Sequence, residues 1–276
     1  MALINLHSIF LIVFMIANVE GHGRLIEPPG RSSMWRFGFD TPKNYNDNQL
    51  FCGGKWVQWG QNAGKCGVCG DNWAGPKENE PGGKYYTGII VKKYDIGAVI
   101  DVSVHLTANH KGWFEFRLCQ NDMVNKTVTQ SCFDQHLLKG ETGATQFPIN
   151  LGMEMVKVKL QLPAGVTCSA CVLQWKYNCG NSWGTDFETK KGCMGCGQQE
   201  QFYGCSDIAI GKPSVKTGMT SPDVEVPAGD FDERLWRTFN DTCACNCPQV
   251  SMANGNDVSS LVFLLTTLTG LWGSFK

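Results

Sequence analysis

The sequence predicts a mostly β protein, an immunoglobulin- or fibronectin III-like antiparallel β-sandwich with long disulfide-stapled loops. Three observations support this fold class. Apolar and polar residues alternate with a period of two in several short segments. No long segment shows a helical period. Residues 24–88 are rich in glycine, proline, asparagine and aromatic residues, and they predict long loops held by their cysteines.

The clearest strand is "VIDVSVHLTA" at 99–108, where one face is apolar and carries Ile100, Val102, Val104, Leu106 and Ala108. "WFEFRL" at 113–118 alternates in the same way. Because only "NHKG" separates the two segments, they predict a hairpin with His110 in or beside its turn.

Three further strands follow in the second half of the chain. "VKVKLQL" at 156–162 alternates, "PAGVTCSAC" turns the chain, and "VLQWKY" at 172–177 returns it. "DIAI" at 207–210 is another short strand. Short antiparallel strands joined by long loops favour a sandwich.

Both ends of the chain are apolar. Residues 9–17 form an apolar run too short to cross a bilayer, so 1–21 predict a signal peptide cut after Gly21. A membrane anchor is the disfavoured alternative. Residues 253–276 predict a removed glycolipid (GPI) anchor signal, with Ser251 or Asn254 as the attachment site, or else a short hydrophobic tail. The expected location is therefore extracellular, with the protein lipid-anchored to the outer face of the membrane.

Fourteen cysteines behind a signal peptide predict disulfides, at most seven of them. Three C-x-x-C pairs also suggest a zinc site, which the exported context disfavours. The spacing of the cysteines does not fix how the disulfides are connected. Asn125 and Asn240 begin glycosylation sequons that fit the same compartment.

Residues 22–211 have the length of one domain, and 212–252 form a cysteine-containing C-terminal extension. The chain carries 24 basic and 25 acidic residues without a basic stripe, which argues against nucleic acid as a partner. A near-neutral, aromatic-bearing surface suits an uncharged polymer. We expect a monomer.

His22 becomes the first residue if the leader is cut after Gly21. Its α-amine and ring Nδ1 can then chelate one metal, and a second imidazole opposite them would complete three nitrogen ligands in a T. Such tetragonal nitrogen coordination favours Cu(II). His105, His110 and His136 are the candidates for the second imidazole; His110 is preferred because sites are commonly built in loops at a sandwich end.

Several motifs together resemble the lytic polysaccharide monooxygenases: "HGRLIEPPGRSSMWRFG", "YNDNQLFCGG", "KCGVCGD", "LTANH", "CVLQWKY" and "EQFYGCSDIAI". They are most similar to auxiliary activity family fifteen, the animal-rich group related to the chitin-binding type 4 domain. The resemblance runs from about 22 to 211. An N-terminal histidine with a second histidine after T-A-N is its most specific part.

The resemblance implies a copper site called a histidine brace. His22 would bind through its amine and Nδ1, and His110 through its distal ring nitrogen. Ala108 matches the small residue on one axial side of the copper. Phe202 matches the other axial side, with its neighbour Tyr203 as the alternative. Glu200 matches the family's polar residue near the site where oxygen binds.

The implied activity is oxidative cleavage of glycosidic bonds, with an external electron donor and O2 or H2O2. An insoluble polysaccharide is the expected substrate, chitin first and cellulose second. The alternative is a secreted protein that binds chitin or copper without turnover. A cysteine-stapled structural protein would explain the disulfides but not His22 at the cut site.

Overall fold

The computed structural model describes residues 21–211. The predicted leader before Gly21, the extension at 212–252 and the tail at 253–276 lie outside the described residues. Between 21 and 211, no helix is long and apolar enough to cross a membrane. Short helical turns lie at Met34–Phe37, Val57–Gln61 and Gln130–Phe133. The strands are β1 His22–Glu27, β2 Lys92–Asp95, β3 Val99–Ala108, β4 Trp113–Cys119, β5 Lys139–Gly140, β6 Phe147–Pro148, β7 Met155–Gln161, β8 Cys168–Asn178, β9 Trp183–Thr185, β10 Gly192–Met194 and β11 Gln201–Gly211.

Two sheets form the sandwich. One has four strands in the order β1-β3-β7-β5, and the other has five in the order β2-β11-β8-β4-β6. β9 and β10 form a separate two-stranded hairpin. The predicted mostly β sandwich is confirmed. One edge differs from the antiparallel expectation, because β2 pairs with β11 in parallel.

The expected hairpin between 99–108 and 113–118 is wrong. β3 pairs with β1 and β7 in the four-stranded sheet, whereas β4 pairs with β6 and β8 in the five-stranded sheet. The "NHKG" turn therefore carries the chain from one layer to the other. Two alternating strands joined by a short turn look the same in sequence whether they pair or face each other across a core. His110 consequently lies between the two layers at one end of the sandwich.

The alternation of β3 is largely confirmed, whereas β4 is also buried at Glu115 on its predicted polar face. The apolar faces predicted for both strands are buried, including Val102, Phe114 and Phe116 at 0% exposure. Trp175 and Tyr177 of β8 each pack edge to face on Phe114, and their own two rings stack on each other. These aromatic side chains fill the space between the sheets.

β11 extends well beyond the predicted "DIAI" segment, and it is buried on both faces. Its inner face joins the main core through Phe202 and Ile208, while the outer face is covered by the long loops at 24–88. The disulfide Cys69–Cys205 ties those loops to the strand. A strand buried on both faces does not alternate, so the sequence shows only part of it.

A buried ion pair also holds the loops on the sheet. The guanidinium of Arg31 donates from Nε and Nη2 to the two carboxylate oxygens of Asp207 at 2.7 and 2.6 Å. Arg31 donates a third hydrogen bond to the carbonyl of Asn79 and lies over the ring of Tyr86. These contacts satisfy a charge that would otherwise be costly to bury.

Five disulfides lie among the described residues, and they confirm the preference for disulfides over zinc. Cys66 and Cys69 bond to different partners and not to each other. The pairs are Cys52–Cys66, Cys69–Cys205, Cys119–Cys132, Cys168–Cys171 and Cys193–Cys196. Within the described part of the chain, Cys179 alone remains a thiol, and it is buried.

Candidate metal centre

His22 begins β1 and pairs with Ala108, the last residue of β3. The pairing fixes the first residue of the domain beside the turn that carries the second histidine, two positions further on. Gly23 holds the strand end in place, because its backbone N–H donates to the carbonyl of Asn48 at 3.0 Å. A side chain at Gly23 would collide with Leu106, whose Cδ2 lies 2.8 Å from an added Cβ.

The crossover turn holds His110 by its backbone. Its N–H donates to the hydroxyl of Tyr177 at 2.9 Å, and its carbonyl accepts from the N–H of Gly180 at 3.0 Å. Gly112 completes the turn with φ +92, and a Cβ there would lie 2.0 Å from the carbonyl oxygen of Asn178. Only glycine fits this turn, so its presence fixes the position of His110.

The buried imidazole of His110 contacts Asn181, whose side-chain amide lies 2.6 Å from Nδ1. An amide in this place can donate to Nδ1 or, turned over, accept from an Nδ1–H group. The second arrangement leaves the lone pair of Nε2 for a metal. An outer partner of this kind is the usual way in which proteins orient a metal-binding histidine.

Glu200 and Gly21 complete one side of the site. Oε2 of Glu200 accepts from the backbone N–H of Gly21 at 3.3 Å and lies 3.9 Å from Nδ1 of His110. A Cβ on Gly21 would lie 2.9 Å from that Nδ1 and 3.2 Å from the ring of Phe202. The residue before His22 therefore occupies the space between the carboxylate and the imidazole.

Phe202 and Tyr203 lie on opposite faces of β11. The ring of Phe202 is fully buried and lies 6.3 Å from the ring of His22, stacked on Phe51 at 5.8 Å. The hydroxyl of Tyr203 instead donates to Oε1 of Gln201, and its ring faces Lys176. Of these two rings, that of Phe202 is therefore the one that lies on the side of His22.

Cys179 is a neighbour that the sequence did not single out. His110, Cys179 and Glu200 are all buried, and one ligand atom of each lies within 4.8 Å of the others. Burial raises the pKa of the Cys179 thiol, with a further contribution from the carboxylate of Glu200, so the sulfur stays protonated. The Tyr177 hydroxyl contacts the thiol as well as the backbone of His110.

The other two histidines lie away from this cluster. His105 is half-buried on β3, where it pairs with Arg24 of β1. Burial lowers the pKa of its imidazole, and the charge of Arg24 lowers it further. His136 follows the Gln130–Phe133 helical turn, and its carbonyl accepts from Leu118 near the opposite end of β4.

Sequence reasoning missed Asn181, Tyr177 and Cys179. Asn181 follows Gly180 in a polar turn, a setting in which asparagine is common for conformational reasons alone. In the sequence, Tyr177 is indistinguishable from a core residue of an alternating strand. Cys179 is indistinguishable from a cysteine that forms a disulfide. No local pattern distinguishes them, because their contacts depend on the meeting of β8 with the crossover turn.

The residues present fit a copper ion. Imidazole nitrogens suit Cu(II), and so does the terminal amine that a cut after Gly21 would create at His22. The hydrophobic wall formed by Phe202 and Phe51 lies next to His22. Such a wall limits solvent access and lowers the local dielectric around a redox metal.

Comparison with known proteins supports this chemistry. A family model described as "Lytic polysaccharide mono-oxygenase, cellulose-degrading" matches residues 22–208. A solved structure of the AA15 lytic polysaccharide monooxygenase from Thermobia domestica, in the Cu(I) state, is 48% identical. The match covers 70% of this chain and 100% of that chain, with a TM-score of 0.67.

A more distant structural match is a chitin binding domain from Burkholderia pseudomallei, at 13% identity and a TM-score of 0.40. It covers 69% of this chain and 100% of that one. No curated protein sequence matched significantly.

The family model spans most of the described domain, and the match to the AA15 structure covers all of that enzyme. Members of the family are typically secreted. The chain therefore belongs to the lytic polysaccharide monooxygenases, copper-dependent enzymes that act on polysaccharides.

Proposed function

We propose that this enzyme is a chitin-cleaving monooxygenase whose copper is held by His22 and His110 once the leader is cut after Gly21. The observation that carries the proposal is the pairing of His22 with Ala108, since it brings the first residue of the mature domain beside the turn of His110. The new α-amine and Nδ1 of His22 would supply two ligands, and Nε2 of His110 the third.

Copper held by these residues would supply the redox chemistry, with an external electron donor and O2 or H2O2 as the co-substrates. The residues around it hold the geometry. The ring of Phe202, which lies 6.3 Å from the ring of His22, would shield the ion without offering it a strong ligand, and Ala108, paired with His22, would leave room beside it. Oε2 of Glu200, which accepts from the Gly21 amide in the uncut chain, would accept a hydrogen bond from the His22 amine or hold a proton beside the oxygen site.

Chitin is the first substrate because the motifs resemble the animal-rich family fifteen and because the leader predicts secretion. Cellulose is the second, and the description of the matching family names cellulose degradation. Both are uncharged, insoluble polymers of β-linked pyranose rings. A site at the end of the sandwich suits the surface of an insoluble polymer better than a site in a deep pocket would.

The test uses protein that begins at His22, loaded with one copper ion and supplied with ascorbate as reductant. Incubation with chitin and with cellulose, followed by mass spectrometry, should reveal oxidised oligosaccharides, with chitin giving more. A His22→Ala variant should release none. If that variant released as much product as the native enzyme, the proposed copper site would be refuted. If the native enzyme released no oxidised product from either polymer, the proposed activity would be refuted.

We also propose that the mature protein is exported and held on the outer cell surface by a lipid anchor added at Ser251 or Asn254. The apolar tail at 258–276 and the small residues before it support this assignment. Cells displaying the protein should lose it on treatment with a phosphatidylinositol-specific phospholipase. Retention after treatment that releases a known lipid-anchored control protein would contradict it.

A further inference from the structure

The segment between β6 and β7 is bonded to the outside of the crossover turn. The N–H of Ile149 donates to the carbonyl of Gly112 at 2.9 Å. The side-chain amide of Asn109 donates to the carbonyls of Asn150 and Met153 at 2.9 and 2.7 Å. These bonds reach both the first and the last residue of the turn, so the segment is held against the loop that carries the second histidine.

The sulfur of Met153 is fixed within this segment. Its Sδ accepts from the backbone N–H of Asn150 at 3.4 Å, and the residue is 38% exposed. Asn109, which bonds to the backbone of Met153, directly precedes His110, and consecutive Cα atoms are about 3.8 Å apart. A methionine side chain is usually flexible, but this one has a preferred position. A solvent-accessible thioether is therefore held close to the metal centre.

Met123 offers a natural comparison at the other end of the sandwich. It lies beyond Cys119, the last residue of β4, whereas Trp113 begins that strand beside the crossover turn. A strand of seven residues spans about 20 Å. Met123 is 60% exposed, more than Met153. Exposure alone would make Met123 the more reactive of the two, and nearness to the metal centre would make Met153 the more reactive.

A thioether reacts with H2O2, one of the co-substrates of the proposed activity. A lone pair of the sulfur forms a bond to one peroxide oxygen, the O–O bond breaks, and the other oxygen leaves as water with both protons. The sulfur loses two electrons and the peroxide gains two, which yields methionine sulfoxide without a further reductant. Because a thioether sulfur is only a weak acceptor, a sulfoxide oxygen can take over the N–H of Asn150.

We propose that Met153 is a modification site, where the thioether takes an oxygen atom from H2O2 when copper is bound and no polymer covers the metal centre. The inference rests on the proposed function, because redox-active copper activates the peroxide. An oxidant activated at His22 and His110 meets nearby side chains before distant ones. Bound polymer would consume that oxidant and cover the site. Sulfoxide at Met153 would thus record turnover that misses the substrate.

The test compares the sulfoxide at Met153 with that at Met123 by peptide mapping and mass spectrometry. Enzyme that begins at His22 is incubated with H2O2 in the metal-free form, and with H2O2 and ascorbate in the copper-loaded form. Met123 should be the more oxidised in the metal-free enzyme because it is the more exposed. The ratio should reverse in favour of Met153 when copper is bound.

Two controls locate the source of the oxidant. Chitin added to the copper-loaded enzyme should lower the sulfoxide at Met153 while oxidised oligosaccharides appear. The His22→Ala variant, given the same copper and then desalted, should keep the ratio of the metal-free enzyme. A reversed ratio in that variant would contradict the proposal, because the oxidant would not then come from copper at the two histidines.

The same incubations distinguish this proposal from the proposed function. If the copper-loaded enzyme releases oxidised oligosaccharides from chitin but Met123 remains the more oxidised methionine in its absence, the modification site is overturned and the proposed function stands. If copper changes neither the methionine ratio nor the release of oligosaccharides from either polymer, both are overturned.

Discussion

The backbone nitrogen of Gly21 lies 3.3 Å from Oε2 of Glu200, in the space beside the His110 imidazole. As long as Gly21 is attached, the nitrogen of His22 is an amide and has no lone pair to give to a metal. The same cut that would remove the leader therefore frees a ligand and empties the space next to it.

We accordingly expect a protein that keeps Gly21 to bind Cu(II) more than about a hundredfold more weakly than one that begins at His22. That factor is the upper range for losing only an outer partner of a metal ligand, and here a ligand itself is lost. Isothermal titration of both forms with Cu(II) would measure the difference. Equal affinities would show that the α-amine is not a ligand.

Asn181→Ala should weaken copper binding about 10- to 100-fold by releasing the ring of His110. Asn181→Asp keeps an oxygen that can accept from Nδ1–H, so it should restore most of the affinity. The paramagnetic resonance spectrum should change in the alanine variant and return toward the native one in the aspartate variant. Unchanged spectra in both would mean that Asn181 does not orient the imidazole.

Gly112→Ala should distort the crossover turn, because the added methyl group would lie 2.0 Å from the Asn178 carbonyl. We expect a loss of roughly 2 kcal/mol or more in unfolding free energy together with weaker copper binding. Gly143→Ala is the matched control, since Gly143 also has a positive φ, of +83, but a Cβ there would meet nothing within 4 Å. Chemical denaturation and copper titration would be measured for both variants. The loss in Gly143→Ala reports backbone strain alone, and any additional loss in Gly112→Ala reports the collision with Asn178.

Arg31→Met should destabilise the domain by about 3–5 kcal/mol, because it leaves the carboxylate of Asp207 buried without its partner. The two side chains are only 3% and 5% exposed. Lys159→Met removes the exposed pair with Asp101 and should cost no more than about 1 kcal/mol. Denaturant unfolding curves would compare them, and equal losses would contradict the role assigned to the buried pair.

His105 should make the domain less stable in mild acid. Burial holds the pKa of its imidazole below the ordinary value of 6.5, so the unfolded chain takes up a proton first. Its contribution to stability is complete above pH 6.5 and is lost as the pH falls from there toward the folded pKa. His105→Gln should flatten the dependence of the melting temperature on pH in this range, and an unchanged slope would contradict the assignment.

The sequence alone predicts the apolar faces of β3 and β4 well, because those faces meet the core. It fails to show which sheet each strand joins, since the turn between them is equally suited to a hairpin and to a crossover. It also understates β11, whose outer face is covered by loops, so that Tyr203 is buried although it faces away from the main core.

The site divides in a similar way. His22 and His110 are indicated by position and by chain-local motifs, and the placement of Phe202 inside and Tyr203 outside follows from strand alternation. Asn181 and Cys179 reach the site only through the pairing of β8 with β4 and β11. Such contacts between distant parts of the chain leave no periodic pattern in a single sequence.

The position of the His110 turn has a mechanical consequence. His22 belongs to the four-stranded sheet, Phe202 belongs to the five-stranded sheet, and His110 lies on the segment that passes between them. An ion bound by both histidines would link the four-stranded sheet to the turn that joins the two layers. Copper should therefore raise the melting temperature. Thermal unfolding of the copper-loaded protein with and without a chelator would measure this stabilisation.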